Sequence, residues 1–216
     1  MEGEKKYKLI IFDLDGTLVN SVPLAHKAFL KLLTEQGITP KKFDLSPFSG
    51  SPTVRILRFM KNEYGLKGSL NDLRNERRRH FFEMIKDKNL LFSGVENTLK
   101  KLKKKYIIAI ATGSSSRTMS KILPKKIMAL FDMVVTIDDV KKGKPDPEQL
   151  LLISKKLLIS PQECLMIGDS RFDQIAARKA KMDSIGVLSG VVSKKELLKA
   201  GAKIVINSVN ELNKVI

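Results

Sequence analysis

The chain has 216 residues, 43% of them hydrophobic, which excludes wholesale disorder and suits one large domain or a core with an insertion, at about 150 residues per domain. Its 40 Lys and Arg against 23 Asp and Glu give a formal net charge of +17, a field that attracts phosphates, nucleic acids and acidic surfaces. A lone cysteine, Cys164, excludes an intramolecular disulfide and a multi-cysteine zinc site.

The first apolar run, within residues 8–13, predicts a buried strand. It is too short for a signal peptide or a membrane span, so we expect a cytoplasmic protein without a membrane partner. The stretch up to the next strand signal contains helical patterns only, at 22–36, 53–64, 69–86 and 95–105. A crossover helix needs about a dozen residues, so this surplus predicts a helical subdomain inserted at 18–92.

The rest of the chain alternates short Ile- and Val-rich runs with longer amphipathic stretches. The runs predict further strands at 106–112, 133–137, 164–169, 184–187 and 203–206. The amphipathic stretches predict helices at 116–123, 148–157, 173–181 and 194–200. This alternation predicts an α/β fold with a doubly wound parallel sheet, formed by 1–17 and 93–216.

Two groups of carboxylates follow predicted strands. The first is Asp13-Leu14-Asp15-Gly16-Thr17, in which Asp13 and Asp15 can point the same way off the strand end. The second is Gly168-Asp169-Ser170-Arg171-Phe172-Asp173. A turn or a helix cap would also use these residue types. Four carboxylates at two strand ends form an oxygen-rich set suited to Mg²⁺.

Two further patterns follow strands and could hold a phosphate. Thr112 and Gly113 begin a run of small and hydroxyl residues, which can offer O–H and N–H donors but also fits an ordinary helix cap. Lys144 begins Lys-Pro-Asp-Pro, whose prolines stiffen the loop, although a loop lysine is usually solvated. All four patterns lie at the strand ends where α/β sheets bind ligands, and together they predict a phosphoryl-transfer site.

These motifs, in this order, resemble the haloacid dehalogenase-like superfamily of phosphatases. The matching segments are Phe12-Asp13-Leu14-Asp15-Gly16-Thr17-Leu18, Thr112, Lys144 before Pro-x-Pro, and Gly168-Asp169-Ser170 with Asp173. The resemblance spans roughly 9–190 and implies a Rossmann-like core with a helical cap. Within the helical-cap class, the chain is most similar to phosphoglycolate-phosphatase-like members.

The resemblance also implies a role for each matching residue. Asp13 would be the nucleophile that forms an aspartyl-phosphate, and Asp15 the general acid that then activates water. Thr112, Gly113 and Lys144 would bind the phosphoryl group. Mg²⁺ would be the cofactor, with a ligand set of Asp13, the Asp15 carbonyl, Asp169 and, in support, Asp173. The expected substrate is a small phosphate ester, phosphoglycolate first and a sugar phosphate second, bound by a monomer or weak homodimer.

The substrate would be selected by the cap, where the sequence says less. Arg55, near the loop that resembles the family's specificity loop, is the candidate for contacting a substrate anion. The run Arg77-Arg78-Arg79-His80 is interpreted as a solvent-exposed helix face. His26 and Cys164 are interpreted as packing residues.

Four other functions are weighed against that of a phosphatase. A phosphomutase is disfavoured because Gly50-Ser51-Pro52-Thr53 lacks the arginine that related mutases show there, and Gly168 stands where they have Glu. A dehalogenase would resemble Asp-x-Tyr-Gly-Thr, whereas this chain has Asp15. A phospho-accepting receiver is shorter and has no helical insertion. A nucleic-acid binder would use the +17 charge, but the lysines are spread along the whole chain, so no nucleic-acid partner is expected.

Overall fold

The computed structural model describes residues 6–216, and within them six parallel strands form one sheet. The strands are β1 (Leu9–Phe12), β2 (Ile107–Ala111), β3 (Met133–Val135), β4 (Cys164–Gly168), β5 (Asp183–Val187) and β6 (Ile204–Ile206). Each lies where an apolar run predicts it. The strand predicted at 133–137 ends early because Thr136 caps a 3₁₀ turn, Ile137–Asp139, by accepting a hydrogen bond from the Asp138 backbone.

Helices connect these strands. In chain order they are α1 (Val22–Glu35), α2 (Thr53–Tyr64), α3 (Leu70–Ile85), α4 (Val95–Lys103), α5 (Ser116–Ile122), α6 (Lys125–Met128), α7 (Glu148–Lys156), α8 (Arg171–Lys179) and α9 (Lys194–Ala200). The short α6 is not among the predicted helices. The helix predicted at 116–123 ends before Pro124, which interrupts the helical pattern. Among residues 6–216, every helix is too short or too polar to cross a bilayer.

The strand order β3-β2-β1-β4-β5-β6 confirms the doubly wound parallel sheet. The chain builds outward from β1 through β2 to β3 and then crosses to β4 on the other side. The carboxyl ends of β1, β2 and β4 are therefore adjacent at the switch point, where ligands bind in such sheets. This topology brings the residues after Phe12, Ala111 and Gly168 to one edge.

The central strand is apolar throughout because both of its faces are covered. Ile10 and Phe12 pack in a cluster that includes Leu99 of α4, whereas Leu9 and Ile11 pack in a second cluster with Ile153 of α7. A strand buried on both faces has no polar alternation, as the sequence shows. Cys164 is fully buried in β4, in the second cluster, which agrees with a packing role.

The three helices α1 to α3 lie within the stretch predicted as a cap. They share a hydrophobic cluster of their own, which includes Phe29, Leu57 and Leu73. Val19 pairs with Leu91, so the segments that leave and re-enter the core run side by side. The boundaries between the core (1–17 and 93–216) and the cap (18–92) stay a prediction, of which residues 1–5 lie outside the described part.

Candidate active site

The centre of the candidate site is an ion-pair network around Lys144. Its Nζ donates hydrogen bonds to Oδ1 of Asp13 at 2.7 Å, Oδ1 of Asp173 at 2.6 Å and the carbonyl of Ala111 at 2.9 Å. All three charged side chains are buried. A buried ammonium with three acceptors is fully paired and held in one orientation.

Asp13, Asp169 and Asp173 form a group of carboxylates in which one oxygen of each lies within 4.8 Å of the others. Thr17, the last residue of the first motif, donates from Oγ1 to Oδ1 of Asp169 at 3.0 Å. The second oxygen, Oδ2 of Asp169, is buried and has no hydrogen-bond partner among the described residues. An orphaned carboxylate oxygen beside two further carboxylates fits a hard cation such as Mg²⁺.

Two glycines leave room beside that oxygen. A Cβ at Gly16, whose φ is +84°, would lie 2.4 Å from Oδ2 of Asp169, and a Cβ at Gly190 would lie 1.9 Å from it. Both positions therefore need the absence of a side chain. Sequence reasoning missed Gly190 because it follows β5, outside the motifs, and a glycine in a turn is ordinary.

The electrostatics of this group indicate a shortage of positive charge. Burial raises the pKa of Asp13 to about 7, with Asp173 and Asp15 adding to the rise and Lys144 opposing it. Burial, together with the neighbouring Asp13 and Asp173, also raises the pKa of Asp169 well above its ordinary value. Burial lowers the pKa of Lys144, but Asp13 and Asp173 outweigh it and raise that pKa overall. One lysine does not balance three buried carboxylates, and a bound cation would.

Asp15 has different partners from Asp13. Ser21 donates from Oγ to Oδ1 of Asp15 at 2.5 Å, and Ser114 donates to Oδ2 at 2.7 Å. Both carboxylate oxygens are thus oriented by hydroxyls. Ser21 was missed because a serine immediately before α1 looks like a helix cap, yet its side chain makes no capping bond and binds Asp15 instead.

Thr112 and Gly113 lie at the carboxyl end of β2. The Thr112 side chain is fully buried, and its Oγ1 accepts a hydrogen bond from the Ser114 backbone at 3.0 Å. Its carbonyl accepts one from Nε2 of Gln149 at 2.8 Å. Gly113 is exposed, and a Cβ built there would have the Gly50 carbonyl 3.9 Å away as its nearest neighbour.

The cap loop before α2 lies against the core segment that includes Asp169 and the first turn of α8. A Cβ at Gly50, whose φ is +79°, would lie 2.6 Å from Oγ of Ser170. Arg171 donates from Nη2 to the carbonyl of Pro47 at 3.0 Å. Arg55 is exposed, with its Cζ 5.7 Å from the centre of the Phe172 ring. Its predicted contact with substrate stays a prediction, and its observed contact is with the core.

The interpretation of Arg77-Arg78-Arg79-His80 as an exposed face holds only for Arg79, since Arg78 is half-buried and the other two are covered further. His80 is fully buried, with Nε2 2.7 Å from Oε2 of Glu35 on α1. Arg77 is half-buried, and its Nε is completely covered. The spacing contained a signal, since Arg77 lies four residues from both Leu73 and Phe81, which are buried on the same side of α3.

Comparison with known proteins identifies relatives that match most of the chain. A family model described as haloacid dehalogenase-like hydrolase matches residues 10–187. The phosphorylated carbohydrates phosphatase of Thermotoga maritima is 31% identical over 94% of this chain and 96% of its own. Pyrophosphatase PpaX of Bacillus cereus is 33% identical over 81% of this chain and 80% of its own.

Among solved structures, the fold is similar to that of β-phosphoglucomutase from Clostridium difficile. That structure matches with a TM-score of 0.78 and 25% identity, covering 95% of this chain and 93% of its own. The relatives are thus named as a phosphorylated carbohydrates phosphatase, a pyrophosphatase and a phosphomutase.

Proposed function

Because this chain belongs to the haloacid dehalogenase-like hydrolase family, we propose that it cleaves small organic phosphomonoesters through an aspartyl-phosphate on Asp13, with Mg²⁺ as cofactor. Its relatives are named as phosphatases, which supports a phosphoric monoester hydrolase. The observation that carries the proposed mechanism is the buried network of Lys144 with Asp13 and Asp173, set beside the unpartnered Oδ2 of Asp169.

In the first step an oxygen of Asp13 attacks the phosphorus of the ester. The bond between phosphorus and the leaving oxygen breaks, and Asp15 gives that oxygen its proton. Lys144 stays beside Asp13 throughout and offsets the negative charge that the phosphoryl group brings. A phosphorylated Asp13 divides the reaction into two easier steps.

In the second step water replaces Asp13 at the phosphorus. Asp15, now a carboxylate, takes a proton from this water, inorganic phosphate leaves, and free Asp13 is restored. Ser21 and Ser114 hold both oxygens of Asp15, so the base is aimed rather than free to rotate. Hydrolysis of the phosphoryl group on Asp13 needs such a base to activate the water.

Mg²⁺ would be held by Asp13, the Asp15 carbonyl and Asp169, with Asp173 in support, and when bound it would neutralise phosphoryl oxygens. The residues fit this ion because Asp169 presents a buried oxygen without a partner, and because Gly16 and Gly190 keep the space beside it clear. Asp173 is also committed to Lys144 and to the N-terminus of α8, where the Ser170 hydroxyl and backbone bind its Oδ2.

The proposed substrate is small because the cap loop at Gly50 lies directly on the core loop at Ser170. Phosphoglycolate is the first candidate and a sugar phosphate the second, which the carbohydrate-phosphatase relative supports. A phosphomutase has the same fold. Because the cap loop lacks the arginine that related mutases have there, we propose hydrolysis rather than phosphoryl transfer within the substrate. A cytoplasmic monomer or weak dimer stays an expectation.

The test is a screen of phosphate release from several dozen metabolite esters in Mg²⁺, with Asp13→Asn as the matched inactive protein. Release by the wild-type protein and none by Asp13→Asn is the expected result, because an amide is a poor nucleophile. Transfer of the phosphoryl group to a second position without release would indicate a mutase. A stable phosphoprotein without turnover would indicate a receiver.

A further inference from the structure

Two buried glutamines lie next to the candidate site, and neither takes part in the chemistry described above. Gln149 is in the first turn of α7 and Gln174 in the first turn of α8, and both side chains are fully buried. The two helices pack in the same hydrophobic cluster, which covers one face of the sheet. Both amides are therefore held in a largely apolar layer.

Each glutamine donates a hydrogen bond from Nε2 to a backbone carbonyl at the end of a core strand. Gln149 binds the carbonyl of Thr112 at 2.8 Å. Gln174 binds the carbonyl of Gly168 at 2.9 Å. In both glutamines Oε1 is buried and has no hydrogen-bond partner among the residues that the structure describes. Such an orphaned oxygen costs stability that an apolar side chain would avoid, so stability alone does not explain these two amides.

A carbonyl that is fixed in direction also fixes the N–H of the following residue. The peptide unit is planar and trans, so its C=O and its N–H point in opposite directions. The carbonyl of Thr112 shares a peptide unit with the N–H of Gly113, and the carbonyl of Gly168 shares one with the N–H of Asp169. Each glutamine thus holds a carbonyl toward its own helix and directs an N–H away from that helix.

At the end of β2 the directed group is the N–H of Gly113. Within residues 6–216 it has no hydrogen-bond partner. The next residue, Ser114, donates to the carboxylate of Asp15, which places this turn at the site. An unpartnered backbone N–H at a strand end is suited to a phosphoryl oxygen, which is the role predicted for Gly113.

At the end of β4 the directed group is the N–H of Asp169. It donates to Oγ1 of Thr17 at 3.1 Å, and the same hydroxyl donates to Oδ1 of Asp169 at 3.0 Å. The hydroxyl is thereby oriented by the backbone, and it leaves Oδ2 of Asp169 as the oxygen without a partner. Gln174 is therefore linked to the proposed Mg²⁺ ligand through one peptide unit and one hydroxyl.

We propose that the two glutamines are positioning residues with separate targets. Gln149 orients the N–H of Gly113 toward a phosphoryl oxygen, and Gln174 orients the carboxylate of Asp169 toward Mg²⁺. The proposal rests on the proposed function, since it concerns the phosphate and metal positions of the same site. It assigns the support of the phosphate position to α7 and that of the metal position to α8.

The opposing explanation is that both glutamines only close the junctions between helix and strand. Gln149→Met and Gln174→Met keep an unbranched side chain and remove the donor. Ser154→Ala is the matched control, because Ser154 is also buried on α7 and donates from Oγ to the carbonyl of Ile159 at 2.6 Å, near the other end of the helix. A purely structural role predicts that the three variants lower the melting temperature without separating the two affinities.

Calorimetric titration with Mg²⁺, and with inorganic phosphate at saturating Mg²⁺, measures the two affinities separately. Gln149→Met should weaken phosphate binding by about tenfold and change Mg²⁺ binding by less than about threefold. Gln174→Met should weaken Mg²⁺ binding by about tenfold or more and change phosphate binding at saturating Mg²⁺ by less than about threefold. Ser154→Ala should leave both affinities unchanged, whatever its effect on the melting temperature.

Ester hydrolysis by the wild-type protein is measured in parallel, so that the two proposals can fail separately. The crossed pattern of affinities supports the positioning roles, and if it occurs without ester hydrolysis it rejects only the hydrolase mechanism. Equal losses of both affinities in each glutamine variant, or no loss in either, overturn the positioning roles, while phosphate release by the wild-type protein upholds the phosphatase. A wild-type protein that binds neither Mg²⁺ nor phosphate overturns both.

Discussion

The Nζ of Lys144 lies 2.7 Å from Oδ1 of Asp13, although the two residues are 131 positions apart in the chain. Both side chains are buried, and the same Nζ binds Asp173. The nucleophile proposed for this site is therefore paired with a lysine from another loop, which it shares with Asp173.

Lys144→Met should lower turnover by about a hundredfold or more, because it removes the charge opposite the phosphoryl group. In Mg²⁺-free buffer it should also destabilise the fold by about 3 kcal/mol at pH 8, where Asp13 and Asp173 would be buried anions without a cation. The loss should shrink at pH 5, since burial raises the pKa of Asp13 to about 7 and its carboxyl is then protonated. Thermal unfolding at both pH values checks this.

The control for that prediction is Lys142→Met, in the same loop but exposed. It should change neither turnover nor stability appreciably. An equal loss of stability by Lys144→Met at pH 5 and pH 8 would show that packing, not charge, is what Lys144 provides.

Asp15→Asn should accumulate phosphorylated protein when the ester has a good leaving group such as nitrophenol. Formation of the phosphoryl-enzyme then needs no acid, whereas its hydrolysis lacks a base and should slow by about 10²- to 10⁴-fold. Intact-protein mass spectrometry after brief incubation would detect the adduct, and Asp13→Asn should not form it. Turnover of Asp15→Asn at the wild-type rate would contradict the role of Asp15.

Ser114→Ala tests whether the hydroxyls orient Asp15. It removes one of the two hydrogen bonds to that carboxylate and leaves the charge in place. We expect a drop in kcat of about tenfold, with unchanged formation of the phosphoryl-enzyme. Rapid-mixing kinetics with nitrophenyl phosphate separate the two steps, and Ser116→Ala, on the exposed start of α5, is the comparison.

Mg²⁺ should stabilise the protein more at pH 8 than at pH 5. In the metal-free fold, burial raises the pKa of Asp13 from its ordinary value to about 7. Between about pH 4 and pH 7, Asp13 is therefore protonated in the folded state and ionised in the unfolded state. Stability from this group therefore falls as pH rises through that window, and a bound cation reverses the loss. Melting temperatures with Mg²⁺ and with chelator at both pH values give the difference, which should vanish in Asp169→Asn.

Gly190→Ala should raise the Mg²⁺ concentration needed for half-maximal activity by about tenfold or more. The new Cβ would lie 1.9 Å from Oδ2 of Asp169, so the carboxylate must move away from the proposed metal position. Val191→Ala, at an exposed neighbouring position, should leave the requirement unchanged. An unaltered Mg²⁺ requirement in Gly190→Ala would place the metal elsewhere.

The sheet and most of the site residues could be predicted from sequence because their signals are local. Apolar runs without polar alternation mark strands buried on both faces, and the topology of parallel sheets then brings their carboxyl ends together. Asp13, Thr112 and Asp169 each directly follow a strand or lie at its end, so knowing the strands places them at one edge.

The partners of those residues depended on the tertiary structure. Ser21 and Gly190 carry common turn and cap residue types, and only long-range packing sets one beside Asp15 and the other beside Asp169. Their positions depend on how the cap segment leaves the core and on how the loop after β5 folds over β4.

The clearest division concerns the arginines. The amino-acid sequence by itself determined that the cap contains several arginines. Their charge led to the prediction that the three arginines at 77–79 are solvent-exposed. The packing of α3 against α1 decided that Arg77 lies between Phe29 and Phe81, while Arg55 lies on the Phe172 ring. Helical periodicity selects a face, but which face is covered depends on the neighbouring helix, and that is a property of the assembled fold.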